Sequence, residues 1–207
     1  MLSVGRAIVM GGMVMGCLGG CASVPDPGNW IVAEHVDEFT DARTCRVEQR
    51  ARGSSLRQVM SFVPYAERRG EELRVGLRSA TRYGGLPTGD VRLRVDENPA
   101  WTISTAETPI DARPAGEEAW SKALPANATD TDRVQFEATT REAMGTIGKM
   151  ISPYTAATGE KAAAMLAQMK SGTVLIYETS AFNQPGSSTG RVALDAQFKS
   201  ALAACGL

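Results

Sequence analysis

The chain has 207 residues, with 22 Lys and Arg against 23 Asp and Glu, one His and a formal net charge of −1. Its composition is that of an ordinary globular protein, which excludes a disordered or collagen-like chain. Four cysteines without a CxxC pair, and the single histidine His35, leave zinc poorly served.

Residues 1–20 have the layout of a secretion signal, with Arg6 as the only charge and an apolar run from Ala7 to Leu18. That run is shorter than the roughly 20 apolar residues of a membrane-spanning helix. Gly11, Gly12 and Gly16 weaken it further. It ends in Leu18-Gly19-Gly20-Cys21, a branched apolar residue, two small residues and a cysteine. This resembles a bacterial lipobox, in which a diacylglycerol is attached to the cysteine and the preceding peptide is removed. Cys21 is therefore the expected lipidation site. Each buried methylene of an acyl chain contributes about 0.8 kcal/mol, so two chains hold firmly. The next residue is Ala22 and not Asp. By resemblance to the sorting rule of enterobacterial lipoproteins, this implies an outer-membrane lipoprotein facing the periplasm. Two alternatives stay open: an ordinary signal cleaved near Cys21-Ala22-Ser23, and the competing run Val14-Met15-Gly16-Cys17. Residues 21–29 read as a tether, in which Pro25 and Pro27 oppose helix. Residues 30–207 are expected to form a single domain.

The domain opens with strand signals. Trp30 to His35 is a first strand, and the polar stretch Asp37 to Arg43 is a turn. From Thr44 to Arg50, Cys45 and Val47 alternate with Arg46 and Glu48, the period of a half-buried strand. Val59 to Tyr65 suits a third strand. Leu73, Val75 and Leu77 alternate with Arg74 and Arg78 in a fourth. Gly84 to Gly89 is a strong turn signal. Val91, Leu93 and Val95 then alternate with Arg92 and Arg94, and Trp101 to Ser104 forms a further strand.

Residues 107–133 lose the pattern and read as a polar surface excursion, with one short helical turn near 117–123. Residues 134–151 have helix-forming residues, but Gly145 and Gly148 oppose them. Glu160 to Lys170 is a helix with Ala162, Met165, Leu166 and Met169 on one side and Gly172 as its cap. Thr173 to Thr179 is a buried strand, and 183–190 is a polar loop. From about Ala193 a last helix places Leu194, Phe198, Ala201, Leu202 and Cys205 on one face. The expectation is an α+β domain, an antiparallel sheet or small β-sandwich from residues 30–105 and 173–180, with two to three helices, mostly C-terminal.

Besides Cys21, removal of the signal leaves Cys45 and Cys205. In an oxidising compartment they form a plausible disulfide between an early strand and the last helix. It would close a loop of about 160 residues, for which chain-entropy models give about 4–5 kcal/mol, less any strain. The alternative is two buried thiols that never meet.

Three blocks carry a family resemblance. The first is Trp30-Ile31-Val32 followed by Cys45-Arg46-Val47-Glu48-Gln49. The second runs from Leu73-Arg74-Val75 through Gly85-Leu86-Pro87 to Val91-Arg92-Leu93-Arg94-Val95-Asp96. The third is Leu166 to Gly172, then Val174 to Thr179, then Leu194 to Leu202. Together they make the chain resemble the invasion-associated locus B family of exported bacterial proteins. The family often has a cysteine near the place of Ala33 and a central cysteine pair, both missing here. Its terminal Leu-x-Gly-Phe pattern is met only loosely, by Leu194 to Phe198. The resemblance implies an exported, β-rich, non-enzymatic domain, and nothing in the sequence calls for a cofactor.

The charge layout is bipolar. From Arg43 to Arg94 there are twelve Arg against five acids, an excess of +7, whereas the rest of the mature chain carries nine Lys or Arg against eighteen acids, or −9. Arg74, Arg78, Arg92 and Arg94 lie on the polar side of alternating strands and are expected to share one exposed sheet face. Such a face would pair bidentately with phosphates or carboxylates. The competing expectation is a solvated face neutralised by the protein's own acids in 107–142. The expected partners are the membrane, through the N-terminal lipid, and an envelope protein or an anionic glycan or lipid. Nucleic acid does not fit the compartment.

Other candidates have plainer accounts. His35 with Asp37 or Asp41 and a serine would suggest a hydrolase, but no Gly-x-Ser-x-Gly elbow exists, and Ser54-Ser55 and Ser187-Ser188 lie in loop-like stretches. Glu117-Glu118 and Asp130 with Asp132 lack the glycine and distal glutamate of a calcium loop. Trp30 and Trp101 read as core anchors and Trp120 as exposed. The expected function is a lipid-anchored envelope protein acting as a binding or structural module. The alternative is a carrier of a small apolar or lipid ligand held between sheet and C-terminal helix.

Overall fold

A computed structural model describes residues 27–50, 62–80, 87–110, 129–180 and 188–207. The expected lipidation site Cys21, Trp120, the helical turn near 117–123 and Ser54-Ser55 lie outside these residues. Over these residues the fold is α+β, with two antiparallel sheets and three helices.

Strands β1 (Trp30–Val36), β2 (Arg43–Gln49), β3 (Phe62–Arg69) and β4 (Glu72–Ser79) form a meander. Strand β7 (Tyr154–Ala157) adds to its far edge, giving the order β1-β2-β3-β4-β7. The second sheet has the order β6-β5-β8-β9, from β5 (Asp90–Val95), β6 (Trp101–Ile103), β8 (Val174–Ser180) and β9 (Ser188–Ala193). A 3-10 turn (Thr105–Glu107) follows β6 and is closed by a Ser104–Glu107 capping box.

The inner faces follow from period-2 patterning. Val47, Ala66, Val75, Leu77 and Ala157 from one sheet share a core with Val91, Leu93, Val95, Ile103, Leu175 and Val192 from the other. In β5 every second residue is buried and the rest are exposed, as the alternation predicts. Strand β4 departs from it. Arg74 is only 4% exposed, and Gly76 on the same face is buried because a Cβ there would stand 2.0 Å from the Thr155 carbonyl oxygen of β7.

Helix α1 (Asp130–Met150) covers nearly all of 134–151, where helix-forming residues competed with two glycines, and begins in the last residues of the expected surface excursion. Thr129 and Asp132 cap it reciprocally, and this start signal outweighs the cost of Gly145 and Gly148. None of its described side chains is buried. Its C-terminal end is tethered where the Lys149 ammonium donates to the Ala106 carbonyl. Helix α2 (Gly159–Ser171) buries Ala162, Met165, Leu166 and Met169, the face predicted from spacing. Gly172 ends it in extended backbone (φ −81°), so its conformational freedom is not the reason for glycine. A Cβ at Gly172 would meet Val95 at 2.2 Å, so close approach of α2 to β5 is.

Helix α3 (Ala196–Ala204) starts three residues later than expected, because Asp195 caps it by accepting the Phe198 amide. Phe198 packs on Trp30 with ring centroids 4.5 Å apart. The Trp30 indole donates to the Ala193 carbonyl at 2.8 Å. Cys205, just past the helix, is bonded to Cys45 of β2, with a Cα–Cα distance of 5.4 Å across 160 residues of sequence.

A buried hydroxyl seam ties the sheets together. Thr155 of β7 donates to the Gly89 carbonyl at 2.7 Å and lies 2.6 Å from the Thr88 hydroxyl. Thr179 of β8 donates to the Thr88 carbonyl. Every hydroxyl here has a partner, so the seam holds register without an orphaned buried group. Strands β7 and β9 are absent from the sequence reading. β7 is only four residues long, and β9 begins in the stretch read as a polar loop.

Candidate functional site

The four arginines expected on one face lie on two. Arg74 and Arg78 are on the outer face of the five-stranded sheet, whereas Arg92 and Arg94 are on that of the four-stranded sheet. The shared-face expectation is corrected by topology: β4 and β5 are consecutive in sequence but belong to different sheets.

The outer face of the five-stranded sheet neutralises itself. Register places Arg46 opposite Glu67, and Glu67 opposite Arg74. Arg46 bonds Glu48 at 2.7 Å and Glu67 at 3.2 Å. Arg78 bonds the same Glu48 oxygen at 2.8 Å. Arg74 holds Glu72 through Nη2 at 2.7 Å and Nε at 3.2 Å. Among the described residues these acids lie in β2, β3 and β4 themselves. Glu67 is itself only 7% exposed, so this is a paired, largely buried row and not an open anion site.

The four-stranded sheet presents a different surface. Arg94 lies opposite Ile176, and Ile176 opposite Arg191 of β9. One row along, Arg92 lies opposite Glu178 and bonds it at 2.7 Å. Arg94 is exposed and makes no hydrogen bond or ion pair among the described residues. Arg191 is half-buried, and its Nε is buried without a hydrogen-bond partner. Val174 and Ile176 form a half-buried apolar floor between these arginines.

Asp96 stands at the end of this face, with φ +49°. Its carboxylate accepts the Thr173 amide at 3.0 Å, the Thr173 hydroxyl at 2.8 Å and the Val174 amide at 2.9 Å. Partial burial works to raise its pKa, but these donors and the nearby Arg191 outweigh it and hold the carboxyl below its ordinary value. Asp96 therefore joins β5 to β8 as a carboxylate that is charged at neutral pH. Its acceptor capacity is largely taken by these donors.

Arg191 is the surface residue that the sequence reading missed. Arg191-Val192-Ala193-Leu194 does alternate, with Val192 and Leu194 buried, but four residues after a loop are a weak signal.

His35 is exposed on β1, opposite Thr44. Asp37 does not orient it; its carboxylate accepts the Phe39 and Thr40 amides at 3.0 and 2.9 Å. Asp132 is engaged by Thr129 in the α1 cap, and no group of three potential metal ligands occurs among the described residues. Trp30 is buried, and Trp101 is half-buried with its indole donating to Gln168 at 2.9 Å. Between the sheets and α3, Trp30, Phe198 and Leu202 are among the largest fully buried side chains. No described helix is long and apolar enough to cross a membrane.

No protein-family model, curated protein or solved structure matches this chain.

Proposed function

We propose that this protein is a lipid-anchored component of a bacterial cell envelope, held through Cys21, that acts as a binding or structural module. Its contact surface is the outer face of the four-stranded sheet, with Arg94 and Arg191 as the principal groups and Arg92 beside them. The observation that carries this reading is the contrast in pairing. Arg46, Arg74 and Arg78 are matched by carboxylates on their own sheet, while among the described residues the Arg94 and Arg191 side chains form no ion pair or hydrogen bond, Asp96 acting on Arg191 only through its charge. A guanidinium with free donors on a rigid strand is preorganised for a carboxylate or phosphate.

The envelope assignment is supported by the lipobox-like Leu18-Gly19-Gly20-Cys21 and the resemblance to the invasion-associated locus B family. The bonded pair Cys45–Cys205 suits an exported protein. In such a setting the available anions are lipopolysaccharide phosphates, peptidoglycan carboxylates and acidic proteins.

The test has two arms. In cells, Cys21→Ser should abolish incorporation of a labelled fatty acid and release the protein from the membrane fraction. In vitro, the Arg92→Gln, Arg94→Gln, Arg191→Gln triple variant should bind purified lipopolysaccharide or peptidoglycan more weakly and with a smaller salt dependence. Unchanged binding at low ionic strength would reject this face.

A further inference from the structure

The turn between β1 and β2 carries an aromatic ring into solvent. Phe39 is 98% exposed, and Val36 beside it is 48% exposed. The turn is closed without the ring. Asp37 takes the Phe39 and Thr40 amides, its own amide donates to the Ala42 carbonyl at 3.0 Å, and the Asp41 amide donates to the Asp37 carbonyl at 2.9 Å. Phe39 therefore contributes nothing to the interior, yet sits on a backbone that is already ordered. An aromatic group on a preorganised loop is the usual anchor of a protein interface, because little further entropy is lost on docking.

The ring is rimmed by negative charge. Asp37, Glu38 and Asp41 lie in the turn itself and Glu34 on β1 behind it, while the basic groups His35, Arg43 and Arg46 lie on the two strands and not in the turn. The Thr40 side chain, with the Phe39 and Thr40 amides, holds the Asp37 carboxyl below its ordinary value, so it remains charged.

The same chain carries the reciprocal surface. On the outer face of the four-stranded sheet, Val174 and Ile176 form an apolar floor rimmed by Arg92, Arg94 and Arg191, with Glu178 taken up by Arg92 and Asp96 at the end of the face taken up by the Thr173 and Val174 donors. Arg94 and Arg191 are on strands separated by β8, so their backbones stand about 9–10 Å apart, twice the usual strand spacing. That gap admits an aromatic ring over Ile176 with a guanidinium on either side, an arrangement favoured by the ring quadrupole.

We propose that the Phe39 tip of one chain docks on the Arg94–Ile176–Arg191 face of a second copy, with Glu38 and Asp41 meeting the arginines. The inference rests on the reading of that face as a binding surface, and it names the occupant. Tip and face are different patches, so the contact is head-to-tail: it propagates along a row of copies or closes as a ring.

Sedimentation velocity of the full chain from low to high micromolar concentration tests this. The weight-average sedimentation coefficient should rise with concentration beyond that of a dimer and fall back as salt is added. Phe39→Ala and Arg94→Glu, both at exposed positions, should each weaken association at least about 30-fold while leaving the circular dichroism unchanged. Glu38→Arg should weaken it as well, and the Glu38→Arg, Arg94→Glu double variant should recover most of the loss. A chain that stays monomeric, association indifferent to Phe39→Ala, or a double variant no better than either single one would overturn the proposal. Monomeric protein whose lipopolysaccharide binding still depends on Arg94 would overturn the self-contact and leave the reading of the face standing. If neither measurement responds to Arg94, both fall.

Discussion

Strands β4 and β5 have nearly the same pattern, arginines alternating with Leu and Val, and opposite fates. Arg74 in β4 is 4% exposed and paired, whereas Arg94 in β5 is exposed and unpaired among the described residues. The difference comes from the neighbours. Strand β4 lies inside its sheet between β3 and β7, and the adjoining outer face supplies Glu48, Glu67 and Glu72. Strand β5 lies between β6 and β8, which supply one carboxylate, Glu178, already bonded to Arg92, and then Thr102 and Ile176. Alternation specifies which residues share a face. Cross-strand partners specify whether a charge on that face is free.

The sharpest way to break this comparison is to remove each arginine in turn. Arg74→Ala should cost about 3 kcal/mol, because it leaves buried Glu67 facing an emptied position and Glu72 without its partner. Arg94→Ala should stay within about 0.5 kcal/mol. Urea unfolding of the two variants gives both values. Equal costs would mean that the two faces are equivalent.

Asp96 sharpens the comparison at the other end of β5. Asp96→Asn keeps a side chain that tolerates positive φ but loses the charge, and should cost about 1 kcal/mol at neutral pH. The sign of its pH dependence follows from the lowered pKa. Its stabilisation is complete above the ordinary carboxylate value of 3.8 and is lost as pH falls through the lower folded value. The difference in melting temperature between parent and Asp96→Asn should therefore narrow at acid pH. A gap that holds constant below pH 3 would exclude this role.

Arg92 has a small effect as well. Its ion pair with Glu178 joins side chains that are 60% and 38% exposed. Arg92→Ala should change stability by less than about 1 kcal/mol, and the effect should vanish in high salt. A larger, salt-resistant loss would make this face a structural ladder like the one on the five-stranded sheet.

Much of the architecture is legible along the chain because its signals are local. The six strands between Trp30 and Ile103 alternate or end at Gly and Pro turns, and α2 shows its buried stripe every three or four residues. Elements that depend on distant contacts are not legible. Strand β7 is strand only because its four residues pair with β4, and β9 because it pairs with β8. Helix α1 was obscured by two glycines, although its Thr129–Asp132 capping box was present in the sequence. Of the contact face, Arg92 and Arg94 could be read from alternation, whereas Arg191 required the partner strand to be known.

By itself the sequence determined the α+β class, the inward-facing residues and the faces of α2 and α3, since these rest on the 2-residue and 3.6-residue periods of single elements. It also determined that two cysteines remained to pair within the domain. Only the tertiary structure decided that β4 and β5 part into different sheets, and that Glu67 and Arg74 face each other while Ile176 lies between Arg94 and Arg191. The physical reason is that an arginine's electrostatic fate is set within a few ångströms of its guanidinium, and those neighbours come from strands far away along the chain.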